Sequence, residues 1–266
     1  MKHASFHPCA RPVAPLARDA PAPYVPRMRY EGRTVVLTGV GREGQLGEAL
    51  AVAFAAEGAS LVLVDRTGNE LARRAETVRA ALRPGARVTA VTCDLTDVDD
   101  VARMAAVARE TGAGSVHAVV CAAGGFAMSG PVADSDPSIL ARMIAINLVT
   151  AYLTMRALVP LLRPARGALI YFASAAALPD GSSAKMSAYA ASKSGLLALM
   201  RAVADEERAT GVRANAVAPT SIRTRENVAA MGDGGAYVER ESVADVALFL
   251  CSDLARNVTG QILRLA

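Results

Sequence analysis

The sequence has no tryptophan, and all aromatics together make up only 4% of its 266 residues. That scarcity disfavours surfaces that hold nucleic acid by base stacking. Histidine is nearly as rare: His3 and His7 lie close to the N-terminus, which leaves His117 alone in the rest of the chain. A Ser-His-Asp hydrolase or a His-rich metal centre has little to draw on, and no metal is expected. The four cysteines (Cys9, Cys93, Cys121, Cys251) are dispersed, without C-x-x-C pairing. This suits buried thiols in a reducing compartment, and the expected location is cytoplasmic. Glu57, Arg156 and Arg201 interrupt the apolar stretches before they reach the roughly 18 to 20 residues a bilayer requires, so no membrane span is expected.

A strong charge of one sign is also missing from most of the chain. The formal net charge is +4, but residues 1–30 hold five basic side chains (Lys2, Arg11, Arg18, Arg27, Arg29) against one acid, Asp19. The remainder balances at 24 against 24, so the sequence carries no electrostatic footprint of a nucleic-acid partner. Residues 1–30 also hold six of the thirteen prolines and show no apolar periodicity. They read as a disordered Pro/Arg-rich extension without the apolar core of a signal peptide. Met28 stands where order is expected to begin, as it would if a start codon had been assigned too far upstream. The folded domain is expected over 31–266.

From Arg33 onward, short apolar runs alternate with longer amphipathic ones. Strands are expected at 34–38, 60–64, 87–91, 116–120, 168–173, 212–217 and 261–265. Helices are expected near 46–57, 68–82, 97–110, 137–161, 187–209 and 242–251, with Asp97, Pro137 and Ser242 as start signals. Such alternation, with strands this apolar, predicts an α/β fold: a doubly wound parallel sheet of seven strands with helices on both faces, in a single domain.

The first strand runs into Thr38-Gly39-Val40-Gly41-Arg42-Glu43-Gly44-Gln45-Leu46-Gly47 and then a helix. Glycines between strand and helix allow a tight turn and close approach of a pyrophosphate to the helix N-terminus. Asp65 closes the second strand, placed to accept from a ribose 2′-hydroxyl, which favours NAD; Arg66 beside it could pair with a 2′-phosphate and leaves NADP open. Tyr189 and Lys193, four residues apart, share one face of a helix. Ser174 ends an apolar strand, Asn147 is a polar amide inside an apolar helix, and Asn215-Ala216-Val217-Ala218-Pro219 closes the sixth strand.

In these motifs the chain resembles the short-chain dehydrogenase/reductase family from about Tyr30 to its end. The resemblance implies a Rossmann-fold NAD(P)-dependent oxidoreductase that moves a hydride between nicotinamide and a secondary alcohol or ketone. Tyr189 would be the general acid/base, Lys193 would lower its proton affinity and hold the nicotinamide ribose, and Ser174 would hold the substrate oxygen. Asn147 would position a water that relays protons from Lys193. The implied cofactor site comprises Gly39, Gly41, Gly44, Leu46 and Gly47, then Asp65, Arg66, Asp94 and Leu95. Ala123, Gly124, Pro219, Ile222 and Thr224 complete it, with Tyr189 and Lys193. A homotetramer or homodimer is implied as well.

Three departures from the family pattern stand out. The glycine loop is about two residues longer, with Gln45 where a glycine is usual. Cys121-Ala122-Ala123-Gly124 replaces Asn-Asn-Ala-Gly, which should loosen the floor of the cofactor site, and Thr220 follows Pro219 instead of glycine. The short glycine-rich stretch from Thr224 to Ser242 reads equally as a mobile flap or a connector. The rival class is a non-catalytic, nucleotide-sensing or assembly protein on the same fold.

Overall fold

The computed structural model describes residues 29–266. Seven parallel strands, β1 (Thr34–Thr38), β2 (Ser60–Asp65), β3 (Val88–Thr92), β4 (Ala118–Cys121), β5 (Ala168–Phe172), β6 (Arg213–Pro219) and β7 (Ile262–Leu265), form one sheet in the order β3-β2-β1-β4-β5-β6-β7. This is the expected doubly wound arrangement. The chain order reverses between β1 and β4, and the crevice outside the carboxyl ends of those strands is where such sheets bind ligands.

Two apolar layers cover the sheet because successive side chains in a strand point to opposite faces. Val36 and Val62 join the layer under α3 (Val98–Thr111), α5 (Thr150–Leu162) and α6 (Ser187–Glu206). Val35, Leu37, Leu61 and Leu63 join the layer under α1 (Leu46–Ala56), α2 (Gly68–Arg79) and α8 (Arg240–Cys251). The central strands are buried on both faces. Edge strands β3 and β7 are only partly covered, so burial on both faces does not extend to them.

Local start signals explain most helix boundaries. Asp97 caps α3 by accepting from the N–H groups of Asp99 and Asp100, and Pro137 occupies the first turn of α4 (Pro137–Met143) behind the Asp136 cap. Ser242 is not a start: α8 begins two residues earlier, behind Glu239. The segment between α4 and α5, Ile144–Val149, is a π-helical turn carrying Asn147. By length and composition the run Pro137–Leu162 would suffice to cross a bilayer, despite the interruption expected at Arg156. In the fold it presents Met143, Asn147, Thr150, Ala151, Thr154, Met155 and Leu158 inward along one face and leaves Arg142 and Arg156 exposed. Its period is that of a helix packed against a sheet.

Residues 29 and 30, expected in the extension, pack against the body of the domain. Tyr30 is wholly buried, packs edge-to-face on Phe54 at 4.8 Å and donates its hydroxyl to the Leu248 carbonyl at 2.6 Å. Arg29 pairs with Glu57. The remainder of the Pro/Arg-rich extension, residues 1–28 with Cys9, lies outside the described residues. Cys93, Cys121 and Cys251 are buried free thiols, and burial pushes Cys121 up to about 12.

Candidate active site

The phosphate loop connects β1 to α1. Gly39 sits at φ +75°, and a Cβ there would lie 2.6 Å from the Ala123 backbone nitrogen. Gly47 approaches more closely still, its Cβ position only 2.1 Å from the Gly39 carbonyl oxygen. No side chain fits at either place, so the loop can fold flat over the sheet edge. Gly44, at φ +70°, supplies a second left-handed residue. Gln45 occupies the cap position of α1 but makes no side-chain cap bond, so Leu46 and Gly47 open a helix whose first turn has no side-chain cap. Together the flat loop and this helix terminus fit a dinucleotide pyrophosphate. Glu48 in the first turn accepts from Gly44 N–H at 2.6 Å and is neutralised by Arg74.

Asp65 is fixed. Its carboxylate accepts from Gly41 N–H at 2.8 Å and from Thr67 N–H at 3.1 Å. A Cβ on Gly41 would reach within 2.8 Å of the Asp65 Cγ, so the glycine leaves room for the acid. Arg66 is exposed and close enough to Asp94 to help hold that carboxyl below its ordinary range, an effect due first to hydrogen bonds from Thr96. Arg66, Thr67, Thr92, Asp94 and Asp100 line a groove of about 620 Å³, and Leu95, next to Asp94, is buried.

Next to the missing asparagine pair, the floor is bonded through other groups. Ala123 N–H donates to Thr38 Oγ1 at 3.2 Å, and Asn147 brackets Gly125 by accepting from its N–H at 2.9 Å and donating to its carbonyl at 3.0 Å. A Cβ on Gly124 would come within 2.6 Å of Asn147 Oδ1 and 3.5 Å of Lys193 Nζ, so this glycine lies directly against both side chains.

Tyr189 and Lys193 both lie on α6, with Nζ 5.8 Å from the phenol ring centroid. Lys193 is buried and donates to the Phe172 carbonyl at 2.7 Å, and burial alone lowers its ammonium to about 8. Burial raises the Tyr189 phenol above its ordinary value; the Ser174 hydroxyl acts in the opposite sense. Ser174 also caps the short turn Ala175–Ala177 by accepting from Ala176 N–H, so it serves a turn as well as facing Tyr189.

The side chain of Asn147 also braces the site. Besides both bonds to Gly125, its amide donates to Ser192 Oγ at 3.1 Å. Ser192 was not singled out from the sequence. It is fully buried and donates to the Tyr189 carbonyl at 2.7 Å, while accepting from Asn147, so it ties α6 to Asn147. Its signal was a hydroxyl set between Tyr189 and Lys193, on the inward face.

Beyond Pro219, Ile222 and Thr224 lead into a seven-residue helix, α7 (Arg225–Met231), capped by Thr224. The glycine-rich stretch is therefore folded rather than a bare connector. Arg225 N–H donates to the Gly44 carbonyl at 3.0 Å, and the longer phosphate loop reaches over through the Arg42–Glu226 and Glu43–Arg225 ion pairs. Tyr237 closes the stretch by donating to Gly232, while Val238 pairs back against Ile222. Asn215, ahead of Pro219, joins β6 to the turn before β7 through Val258 and Gln261.

A family model described as enoyl-(acyl carrier protein) reductase matches residues 39–265. The chain belongs to the short-chain dehydrogenase/reductase family. Galactitol 2-dehydrogenase (L-tagatose-forming) of Cereibacter sphaeroides is 31% identical, over 88% of this chain and 94% of that one. (+)-Borneol dehydrogenase 1 of Salvia officinalis is also 31% identical, over 87% and 91%. Among solved structures of the family, a 7α-hydroxysteroid dehydrogenase complexed with NADH and 7-oxo glycochenodeoxycholic acid superposes with a TM-score of 0.80. It is 25% identical and covers 90% of this chain and 94% of that one.

Proposed function

We propose that this protein is a nicotinamide-dependent dehydrogenase of secondary alcohols, or equally a reductase of the matching ketones, with Tyr189 as its general acid/base. The observation that carries this reading is the convergence of Tyr189, Ser174, Lys193 and the Asn147–Ser192 brace at the carboxyl end of the sheet, beside the phosphate loop. The bound dinucleotide supplies the hydride acceptor or donor. In the oxidation direction the substrate hydroxyl would pass its proton to the Tyr189 phenolate, and in reduction the Tyr189 phenol would return it to the carbonyl oxygen.

The residues of the chain divide the work. Ser174 holds the substrate oxygen against the phenol. Tyr189 moves the proton, and the positive charge of Lys193 stabilises the phenolate form while its ammonium reaches the nicotinamide ribose. Gly39, Gly44, Leu46 and Gly47 bind the pyrophosphate, and Gly41 makes room for Asp65. Leu95 with Asp94 flanks the adenine, and Ala123, Gly124, Pro219, Ile222 and Thr224 bound the nicotinamide end. The cofactor in this reading is NAD, because the Asp65 carboxylate is held at the ribose position by two backbone N–H groups and retains lone pairs for a 2′-hydroxyl. The active form in this reading is a cytoplasmic homodimer or homotetramer.

The test is Tyr189→Phe, which preserves the ring and removes the hydroxyl. Turnover falls by at least about a hundredfold while nucleotide affinity, followed by calorimetry, stays within a factor of a few. Near-normal turnover would overturn the acid/base assignment, and a protein that binds nucleotide yet oxidises no alcohol would return it to the sensing class.

A further inference from the structure

Phe126 is the least expected side chain around Tyr189. It is 58% exposed, yet its ring meets the Tyr189 phenol edge-on, with centroids 5.0 Å apart and planes at 81°. Two residues later Met128 is 53% exposed. Large apolar side chains left in water beside a reacting group signal a surface completed by a ligand.

The loop that carries them is anchored at both ends. Asn147 holds Gly125 through both its backbone groups, on one side of Phe126. On the other, the N–H groups of Ser129 and Gly130 donate to the Lys185 carbonyl, and Ser129 Oγ lies 3.3 Å from Ser187 Oγ at the start of α6. Phe126 and Met128 therefore form a fixed apolar wall, not the tip of a swinging loop.

The polar side chain on the same loop is already engaged: Ser129 is buried and satisfied by Lys185 and Ser187. A substrate bearing many hydroxyls would give up water against this wall without finding partners, whereas a hydrocarbon ring would not.

Building on the dehydrogenase reading above, we infer that the substrate is an alicyclic secondary alcohol or its ketone, not a polyol, and that Phe126 is the residue that selects it. The relatives include enzymes named for a polyol and for a bicyclic alcohol, so kinship leaves the choice open. The ring of the substrate lies against Phe126 and Met128 while its oxygen meets Tyr189 and Ser174.

The experiment compares kcat/KM of the full chain for cyclohexanol, 2-butanol and sorbitol, with NAD or NADP, in the unmodified protein and in Phe126→Ala and Phe126→Leu. The expected result is a preference for cyclohexanol over sorbitol of at least about tenfold. Phe126→Ala reduces that preference by about tenfold, through KM rather than kcat. Phe126→Leu, which keeps an apolar side chain, retains most of it and stands in should the alanine variant fail to fold. Sorbitol as the better substrate overturns the inference. So does an equal fall in kcat for all three alcohols, which would make Phe126 only a support for Tyr189. Oxidation of none of them overturns the dehydrogenase reading instead. The wall is then judged by ligand-observed NMR with cyclohexanone: saturation transfer lost in Phe126→Ala supports it, and unchanged transfer overturns it.

Discussion

Asn147 holds Gly125 at both backbone groups, Oδ1 accepting from the N–H and Nδ2 donating to the carbonyl. A strand end normally continues its ladder, but β4 stops at Cys121, and beyond it the chain must open toward the cofactor and substrate. A side-chain amide has the donor and acceptor needed to mimic a neighbouring peptide. The π-helical turn is where Asn147 sits.

Asn147→Ala is expected to lower unfolding free energy by about 2–4 kcal/mol, since it orphans two backbone groups and the Ser192 contact in a site 1% exposed. Asn147→Asp keeps the shape but loses the donor, and is expected to destabilise nearly as much. Urea unfolding of the two variants measures both; an unchanged midpoint for Asn147→Ala would show that the brace is not needed for stability.

Lys193 makes stability pH-dependent in a definite direction. Burial lowers its ammonium to about 8 from an ordinary value of 10.5, so between those values the unfolded chain binds the proton that the folded one has released. Stability therefore rises with pH across that window. Relative to Lys193→Met, the ligand-free protein is expected to gain on the order of 3 kcal/mol as pH climbs from about 8 to 10.5. Parallel melts of the two proteins across that range would refute it.

Asp65 is expected to set cofactor preference. Two unit charges about 4 Å apart near a protein surface interact by about 4 kcal/mol, against about 1.4 kcal/mol for each tenfold preference, so a 2′-phosphate beside this fixed carboxylate is strongly disfavoured. The expected kcat/KM for NAD exceeds that for NADP by at least about tenfold. Asp65→Ala narrows the gap, and adding Arg66→Ala restores part of it. A clear NADP preference in the unmodified protein would hand control of the site to Arg66 and the longer loop.

Tyr30 ties the first described residues to the core. Tyr30→Ala is expected to cost about 3–5 kcal/mol through the cavity beside Phe54, and Tyr30→Phe about 1–2 kcal/mol through the unpaired Leu248 carbonyl. Removing residues 1–28 is expected to leave melting temperature and nucleotide binding unchanged, whereas removing 1–31 is not. A large loss on the shorter deletion would show that the leading segment is docked.

Light scattering at micromolar concentration is expected to give a dimer or tetramer mass. Leu140 on α4 and Tyr152 on α5 are each 47% exposed on the helical run that carries Asn147, a face suited to a two-fold contact with a second copy. Replacing both by Asp is expected to yield monomers.

What the sequence decided by itself was periodicity and spacing. Short apolar runs alternating with amphipathic ones predicted the seven strands to within a few residues, and the glycine loop, Asp65 and the Tyr189/Lys193 spacing pointed to the crevice where the strand order reverses. Such signals are local: they survive in one dimension because backbone geometry repeats every two or 3.6 residues. The tertiary structure decided everything that depends on which distant atoms meet. Only there does Asn147 become a brace for Gly125, Ser192 join it to the Tyr189 carbonyl, and Arg225 close onto Gly44 across 181 residues. Tyr30 likewise reads as the end of a polar lead-in until Phe54 and Leu248 are seen around it. Hydrogen bonds and packing act over a few ångströms whatever the sequence separation, and no periodicity along the chain records them.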